Sequence, residues 1–148
     1  MKKLLLTALL CFCVNAYAVR WVKVYAEHGI TDYVDIDNIE QFRGYIYFYK
    51  LLDYGEPFSP GVWSSVNEFK ADCKKFTYQW LTQMFYEKPM ARGKLVRKFD
   101  RSDSEESEVR PYHKTMYNAV KVACDNAKEI EIHLLDTSFL LFLFCIKS

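Results

Sequence analysis

The sequence has no excess of charge of either sign. Its 148 residues hold 20 basic and 19 acidic side chains, a formal net charge of +1. Such a balance gives no case for a nucleic-acid partner, which needs a basic face to meet phosphate. Histidine is scarce. His28, His113 and His133 are scattered, none at ligand spacing from another or from a cysteine. There is no nucleophile–base arrangement, no metal motif and no cofactor motif, so the expectation is a protein that is not an enzyme and carries no cofactor. Long hydrophobic runs are missing too. A helix that crosses a bilayer needs about 20 apolar residues. The two apolar runs, Leu4 to Val14 and Ser138 to Ile146, are both shorter, and no integral membrane span is expected.

What is present begins at the N-terminus. Lys2 and Lys3 precede the Leu4 to Val14 run, and Ala16-Tyr17-Ala18 follows it. A charged segment, an apolar segment and an A-x-A site read as a secretory signal over residues 1–18, cleaved after Ala18. A retained anchor is the alternative. Cys11 and Cys13 lie inside this segment, preceded by Leu10 and Phe12 rather than the small residue of a bacterial lipidation site, so no lipid is expected. Cleavage removes Lys2 and Lys3, which lowers the basic count from 20 to 18 against 19 acidic residues. The remaining chain is expected to be exported, to the periplasm or the cell surface. It suits one domain, over residues 19–127, followed by a tail over residues 128–148.

Within the domain, apolar residues recur with strand periodicity. Val22 to Tyr25 and Tyr33 to Ile36 read as strands around a His28-Gly29 turn, and Asp37-Asn38 turns again. Gly44 to Tyr54 is apolar on both parities, with Tyr45, Tyr47, Tyr49 and Leu51 on one and Ile46, Phe48 and Leu52 on the other. That marks a central strand covered on both sides. Gly55 to Gly61 is a loop by its Gly and Pro content. Val62 to Phe69, Phe76 to Tyr86 and Lys94 to Phe99 read as further strands. In Phe76 to Tyr86, the even-numbered Phe76, Tyr78, Trp80, Met84 and Tyr86 share one face in a strand; a helix competes, since Phe76, Trp80 and Met84 lie four apart. Asp100 to Arg110 is a polar, solvated loop.

Pro111 then suits a first helical position. Tyr112, Met116, Val120 and Ala123 or Cys124 recur at helical spacing, which predicts an amphipathic helix from Pro111 to about Asn126. A meander of strands before one helix implies an α+β fold: an antiparallel sheet of about five to six strands with one C-terminal helix on one face.

Cys73 stands alone among the strands. In an oxidising compartment a pair of cysteines is expected to bridge, and Cys124 lies on the apolar side of the helix. A Cys73–Cys124 disulfide would staple helix to sheet. Two free buried thiols are the alternative reading, and a nucleophile or metal ligand finds no supporting motif. Cys145 is left over, free or bridging two chains.

With these residues in place, the chain resembles the surface-adhesin protein E family of Gram-negative envelope proteins. The likeness runs from Trp21 to Cys124. It is carried by Trp21, "YVDIDNI" (Tyr33 to Ile39), "LLDY" (Leu51 to Tyr54), "SSVNEFKADC" (Ser64 to Cys73), "MARGKLV" (Met90 to Val96) and Cys124. The resemblance implies an antiparallel sheet packed on a C-terminal helix. For the adhesin that names the family it also implies binding of host extracellular-matrix and serum proteins. This chain departs from the pattern in having no lipidation signal and in having a tail past Cys124.

Two sets of residues are candidates for a partner protein. Arg92, Lys94 and Lys98 share one strand parity and read as a basic stripe for an acidic protein or glycan; protection of an edge strand against pairing is the alternative. Tyr45, Tyr47 and Tyr49 form an aromatic row that, if exposed, anchors a partner or a homodimer, and that otherwise belongs to the core. Asp35, Asp37 and Glu40 cluster at a turn without the ligand spacing of a calcium loop. In the tail, Glu129 to Leu134 alternates like a strand, and Ser138 to Ile146 reads as an added strand, an unordered segment, or a membrane or partner contact. The expected function is a non-catalytic, adhesin-like envelope binding module. The alternative is a periplasmic accessory protein of an envelope complex or stress response.

Overall fold

The computed structural model describes residues 19–127. The expected signal with Cys11 and Cys13, the tail from residue 128, His133 and Cys145 lie outside the described residues. Eight strands form one antiparallel sheet: β1 (Trp21–Glu27), β2 (Ile30–Asp35), β3 (Glu40–Phe42), β4 (Tyr45–Asp53), β5 (Ser64–Asp72), β6 (Thr77–Tyr86), β7 (Leu95–Asp100) and β8 (Ser107–Glu108). Their order is β1-β2-β4-β5-β6-β7. β3 pairs with β4, and β8 pairs with β6. β2 and β3 thus share one side of β4, and β7 and β8 share one side of β6. The sheet is six positions wide, as expected, and two short strands fill out its flanks.

Local chemistry sets the turns. His28-Gly29 joins β1 to β2 with φ of 50° and 79°. A two-residue hairpin turn with both residues left-handed matches the twist of the strands it joins, and glycine takes that conformation without strain. Arg43-Gly44 joins β3 to β4 in the same way. Between β5 and β6, an Asp72 carboxylate oxygen accepts the backbone N–H groups of Lys74 and Lys75 at 2.9 and 3.0 Å. This is the side-chain-to-backbone closure that suits Asp to turns.

The helix, α1, occupies residues 114–127 of the described chain and lies on one face of the sheet. Alternation along β4 points Ile46 and Phe48 at it. Phe48, Phe69 and Trp80 stack across β4, β5 and β6, with ring centroids 5.6 and 5.9 Å apart. From α1 come Ala119, Val120, Ala123, Cys124 and Ala127, all buried. Their spacing is one helical stripe, and their small size lets the helix sit close to the strands. Each fully buried large side chain, such as Phe48, contributes roughly 1.5–3 kcal/mol. Asn118 donates to the Val24 carbonyl at 2.9 Å, and Gln41 to the Ala127 carbonyl at 2.6 Å. These bonds tie the helix to β1 and β3. The Cys73–Cys124 disulfide ties it to the β5–β6 turn, as expected.

Four details differ from the sequence expectation. The even-numbered residues of β6 do not keep to one face. Trp80 pairs with Phe69 and Thr82 with Glu68, so Leu81 is an extra, bulged residue. A bulge reverses the alternation beyond it. Tyr78 and Trp80 pack towards α1, whereas Met84 and Tyr86 lie on the opposite face. Phe76 has φ of 56° and belongs to the turn before β6. Tyr112 precedes α1 and is 65% exposed, so the buried helical stripe starts at Met116. The polar segment after β7 is not a free loop. It contains β8, and Ser104 Oγ donates to the Trp80 carbonyl at 2.7 Å. Gln79 donates to the carbonyls of Ser102 and Ser104 at 3.0 and 2.9 Å. Side-chain hydrogen bonds hold this stretch where apolar burial does not.

Candidate functional site

The sheet face away from α1 is the candidate site. No helix covers it among the described residues, and it carries the tyrosine row. Cross-strand pairing sets its composition: Tyr47 faces Glu40 and Lys70, Tyr49 faces Glu68, and Leu51 faces Val66, which faces Met84. Leu51 is fully buried, while Tyr45, Tyr47 and Tyr49 are half-buried. The row is therefore neither core nor freely exposed. A short 3-10 turn, Pro89–Ala91, folds over part of this face and packs on β4 and β5. Ser64 fixes it, donating through Oγ to the Lys88 carbonyl at 2.7 Å and accepting the Ala91 N–H at 3.0 Å. That gives the first serine of the "SSVNEF" stretch a structural task.

The turn and the strands enclose a groove of about 650 Å³. Trp21, Tyr49 and Tyr86 supply its rings, Met84 adds a thioether, and Asp35 and Glu40 stand at one end. Asp35 is 3% exposed. Its carboxylate accepts the backbone N–H groups of Arg20 and Asp37 at 3.3 and 3.2 Å and the Asn38 amide at 2.6 Å. Three donors make its burial tolerable. Hydrogen bonds thus organise the acidic turn, and Asp35 is buried in it rather than solvated. Burial, and then the negative charges of Glu68, Glu40 and Asp35, push the Tyr49 phenol above its ordinary pKa.

The candidate residues do not converge. Only Tyr49 of the row enters the groove. Lys70 Nζ lies 4.1 Å from the centroid of the Tyr45 ring, a cation–π contact. Tyr45 also borders a separate hollow of about 420 Å³ beside the disulfide and Ala127. Arg92, Lys94 and Lys98 are all exposed, but the shared parity expected of them is not kept. Arg92 closes the 3-10 turn, its backbone N–H donating to the Pro89 carbonyl at 3.3 Å. Phe85 pairs with Arg97 and Tyr86 with Leu95, so Val96 is bulged out of register. Leu95 and Lys98 then share a side, and Lys94, next to Leu95, does not share it. Lys98 thus lies in the edge strand, with Arg92 and Lys94 before it, and the three do not form a stripe.

His28 stands at the tip of the first hairpin, and the His113 and Tyr112 rings lie 4.4 Å apart, tilted by 51°. Among the described residues no group of three or more His, Cys, Asp or Glu is placed to hold a metal ion. The Cys73 sulfur is bonded to Cys124, which removes it from thiolate chemistry. No helix among the described residues is long and apolar enough to cross a membrane. The groove itself was not legible in the sequence. Its walls come from β1 to β6, and the Leu81 bulge turns Met84 and Tyr86 into it against the parity of Tyr78 and Trp80.

The fold is shared with solved structures of protein E from Haemophilus influenzae. One crystal form is 16% identical, with a TM-score of 0.52, covering 76% of this chain and 94% of that one. The selenomethionine form is 15% identical, with a TM-score of 0.54, covering 74% and 91%. Protein E from a non-typeable strain is 16% identical, with a TM-score of 0.52, covering 76% and 81%. No curated protein sequence matches the chain. Residues 21–125 match the family model described as surface-adhesin protein E, and the chain belongs to that family.

Proposed function

We propose that this protein is an exported, non-catalytic, adhesin-like binding module of the Gram-negative envelope, and that its partner is a host extracellular-matrix or serum protein. The observation that carries this reading is the family match across residues 21–125. A surface-adhesin family goes with an exported protein. Residues 1–18 serve as the cleaved signal in this reading, residues 19–127 as the binding domain, and residues 128–148 as an appended tail. Partner contact is assigned to the sheet face with Tyr45, Tyr47 and Tyr49 and to the exposed cations Arg92, Lys94 and Lys98. Half-buried tyrosines and arginines are favoured anchors in protein interfaces.

Two measurements test this together. Intact cells are treated with protease, and purified protein is applied to immobilised matrix proteins. The expected result is cleavage on intact cells, with binding that weakens in salt and on charge reversal at Arg92, Lys94 and Lys98. Complete protection on intact cells would exclude host adhesion. Copurification with an endogenous envelope complex would then favour the accessory role.

A further inference from the structure

The groove on the open face has an aromatic lining and a surplus of negative charge. Trp21, Tyr49 and Tyr86 line it with Met84, and Asp35 and Glu40 close one end. Glu68, directly across from Tyr49, adds a third carboxylate on the same face. None of these three acids is in an ion pair with a described residue. Lys23, two residues from Trp21 on the same face, is exposed and outside the groove lining, and the other nearby cations are engaged or peripheral. Arg20 pairs with Asp37 at 3.0 Å, Lys70 covers the Tyr45 ring, and Lys98 stands on the exposed edge strand. Asp35 is the telling residue. A carboxylate only 3% exposed, with N–H donors but no counter-charge, keeps its field in a place where water screens it poorly. Burial first, and then the charges of Glu68, Glu40 and Asp35, raise the Tyr49 phenol above its ordinary pKa. An aromatic ring attracts a cation to its face, most strongly for tryptophan. The groove's polar lining therefore matches one kind of guest.

We propose that this groove takes a cationic side chain, a lysine or arginine presented by an extended segment of a protein partner, with the charge beside the Trp21 and Tyr49 rings and against Asp35 and Glu40. The groove's volume of about 650 Å³ exceeds what one such side chain fills, so the flanking peptide lies along it. This assignment rests on reading the chain as a protein-binding module, and it gives that module a second contact of opposite sign to the exposed cations near β7. An anionic guest is disfavoured at this end of the face by the same three carboxylates.

The test uses the oxidised full-length exported protein and two probes, acetyl-Ala-Arg-Ala-amide and its neutral isostere with citrulline in place of arginine. Binding is followed by NMR at the Trp21 indole and at Tyr49. The arginine peptide should shift both resonances saturably, with a dissociation constant on the order of 1 mM, and the citrulline peptide should not. The double variant E40Q/E68Q keeps side-chain shape and should bind the arginine peptide at least fivefold more weakly. Tyr49→Leu should do the same, with an unchanged denaturation midpoint in E40Q/E68Q as the check on folding. Equal shifts from both peptides, or unmoved Trp21 and Tyr49, would overturn the assignment. If the arginine peptide titrates the groove but no host protein is bound, the adhesin reading falls and the groove assignment stands. If a host protein binds E40Q/E68Q as tightly as the native chain while Trp21 ignores the arginine peptide, the reverse holds.

Discussion

Lys50 and Asp32 form an ion pair that the sheet and the helix bury together. Lys50 Nζ lies 2.8 Å from the Asp32 carboxylate, and the two side chains are 6% and 3% exposed. Met116 of α1 lies over them, its sulfur 3.9 Å from Nζ. Desolvating both charges costs several kcal/mol, which their attraction offsets only while both are present. Asp32→Ala leaves a buried ammonium without a counter-charge. It should cost about 3–5 kcal/mol in guanidinium denaturation. The double variant D32L/K50M removes both charges and should lie much closer to the native stability. Equal losses in the two variants would show that the pair matters for its packing and not its charge.

The position of that pair shows what the sequence does and does not disclose. Period-two alternation along Tyr45–Asp53 identifies the central strand. Lys50 lies on the same parity as Ile46 and Phe48, yet nothing local says that its charge is buried. Its partner Asp32 comes from a different strand, and Met116 from a helix 66 residues away. The six long strands, the helix and the disulfide were legible because each rests on local spacing or on compartment chemistry. The bulges at Leu81 and Val96 were not, because each is a choice between two registers made by neighbouring strands. Both candidate contact surfaces depend on those bulges. One turns Met84 and Tyr86 into the groove, and the other separates Lys94 from Lys98. A short strand such as Ser107–Glu108 is equally hidden, since its residues have no strand preference and are held by the β6 edge.

The disulfide joins positions 51 residues apart, with Cα atoms 5.7 Å from each other. A constraint on a loop of that length stabilises by roughly 4 kcal/mol in the chain-entropy model. Reduction, or the double variant C73S/C124S, should lower the denaturation midpoint by a corresponding amount. α1 should be the element that loosens, since the bond is its covalent tie to the sheet. Hydrogen exchange on the reduced protein checks this, with faster exchange expected in residues 114–127 than in β4 and β5.

Gly55, just past β4, has φ of 68°, and a Cβ there would lie 2.5 Å from the Gly29 carbonyl oxygen. The loop after β4 thus touches the first hairpin at a point where only hydrogen fits. Gly55→Ala combines a strained left-handed backbone with a backbone clash, and it should destabilise by about 1–3 kcal/mol. Gly61→Ala has a similar φ of 75° but open space around the new carbon. It should cost less, about 1 kcal/mol. Thermal unfolding of the pair separates the clash from the conformational strain.

Tyr54 and Tyr49 predict an alkaline limb of instability. Burial pushes both phenols above the ordinary value of 10.0. The folded chain therefore holds these protons more tightly than the unfolded chain does. The resulting stability is fully present below pH 10 and is lost as pH rises through the raised folded-state values. The denaturation midpoint should be flat with respect to these groups from pH 7 to 9 and fall above pH 10. Tyr49→Phe, which loses no hydrogen bond, should make that fall shallower without a cost at neutral pH. Tyr54→Phe should do likewise but lose about 1 kcal/mol at neutral pH, because Tyr54 shares a 2.8 Å hydrogen bond with Ser65.

The edge strand β7 supports a last prediction, one that separates its two possible uses. Among the described residues β7 has only β6 as a neighbour, and Leu95, Val96 and Phe99 are 49%, 45% and 39% exposed. An open edge with exposed apolar residues pairs with other chains unless charge or a bulge prevents it. Here Val96 is bulged, and Arg97 lies over the Phe99 ring at 5.7 Å. If the cations protect the edge, any charge suffices, and its sign is irrelevant. The neutral double variant R97S/K98S should then self-associate in light scattering at an unchanged unfolding temperature, while R97E/K98E stays monodisperse. If the cations also meet an acidic partner, sign matters, and both variants should lose binding to it. A reversed variant that is monodisperse and no longer binds therefore establishes both roles at once. One that still binds the partner would leave edge protection as the whole reason for these charges.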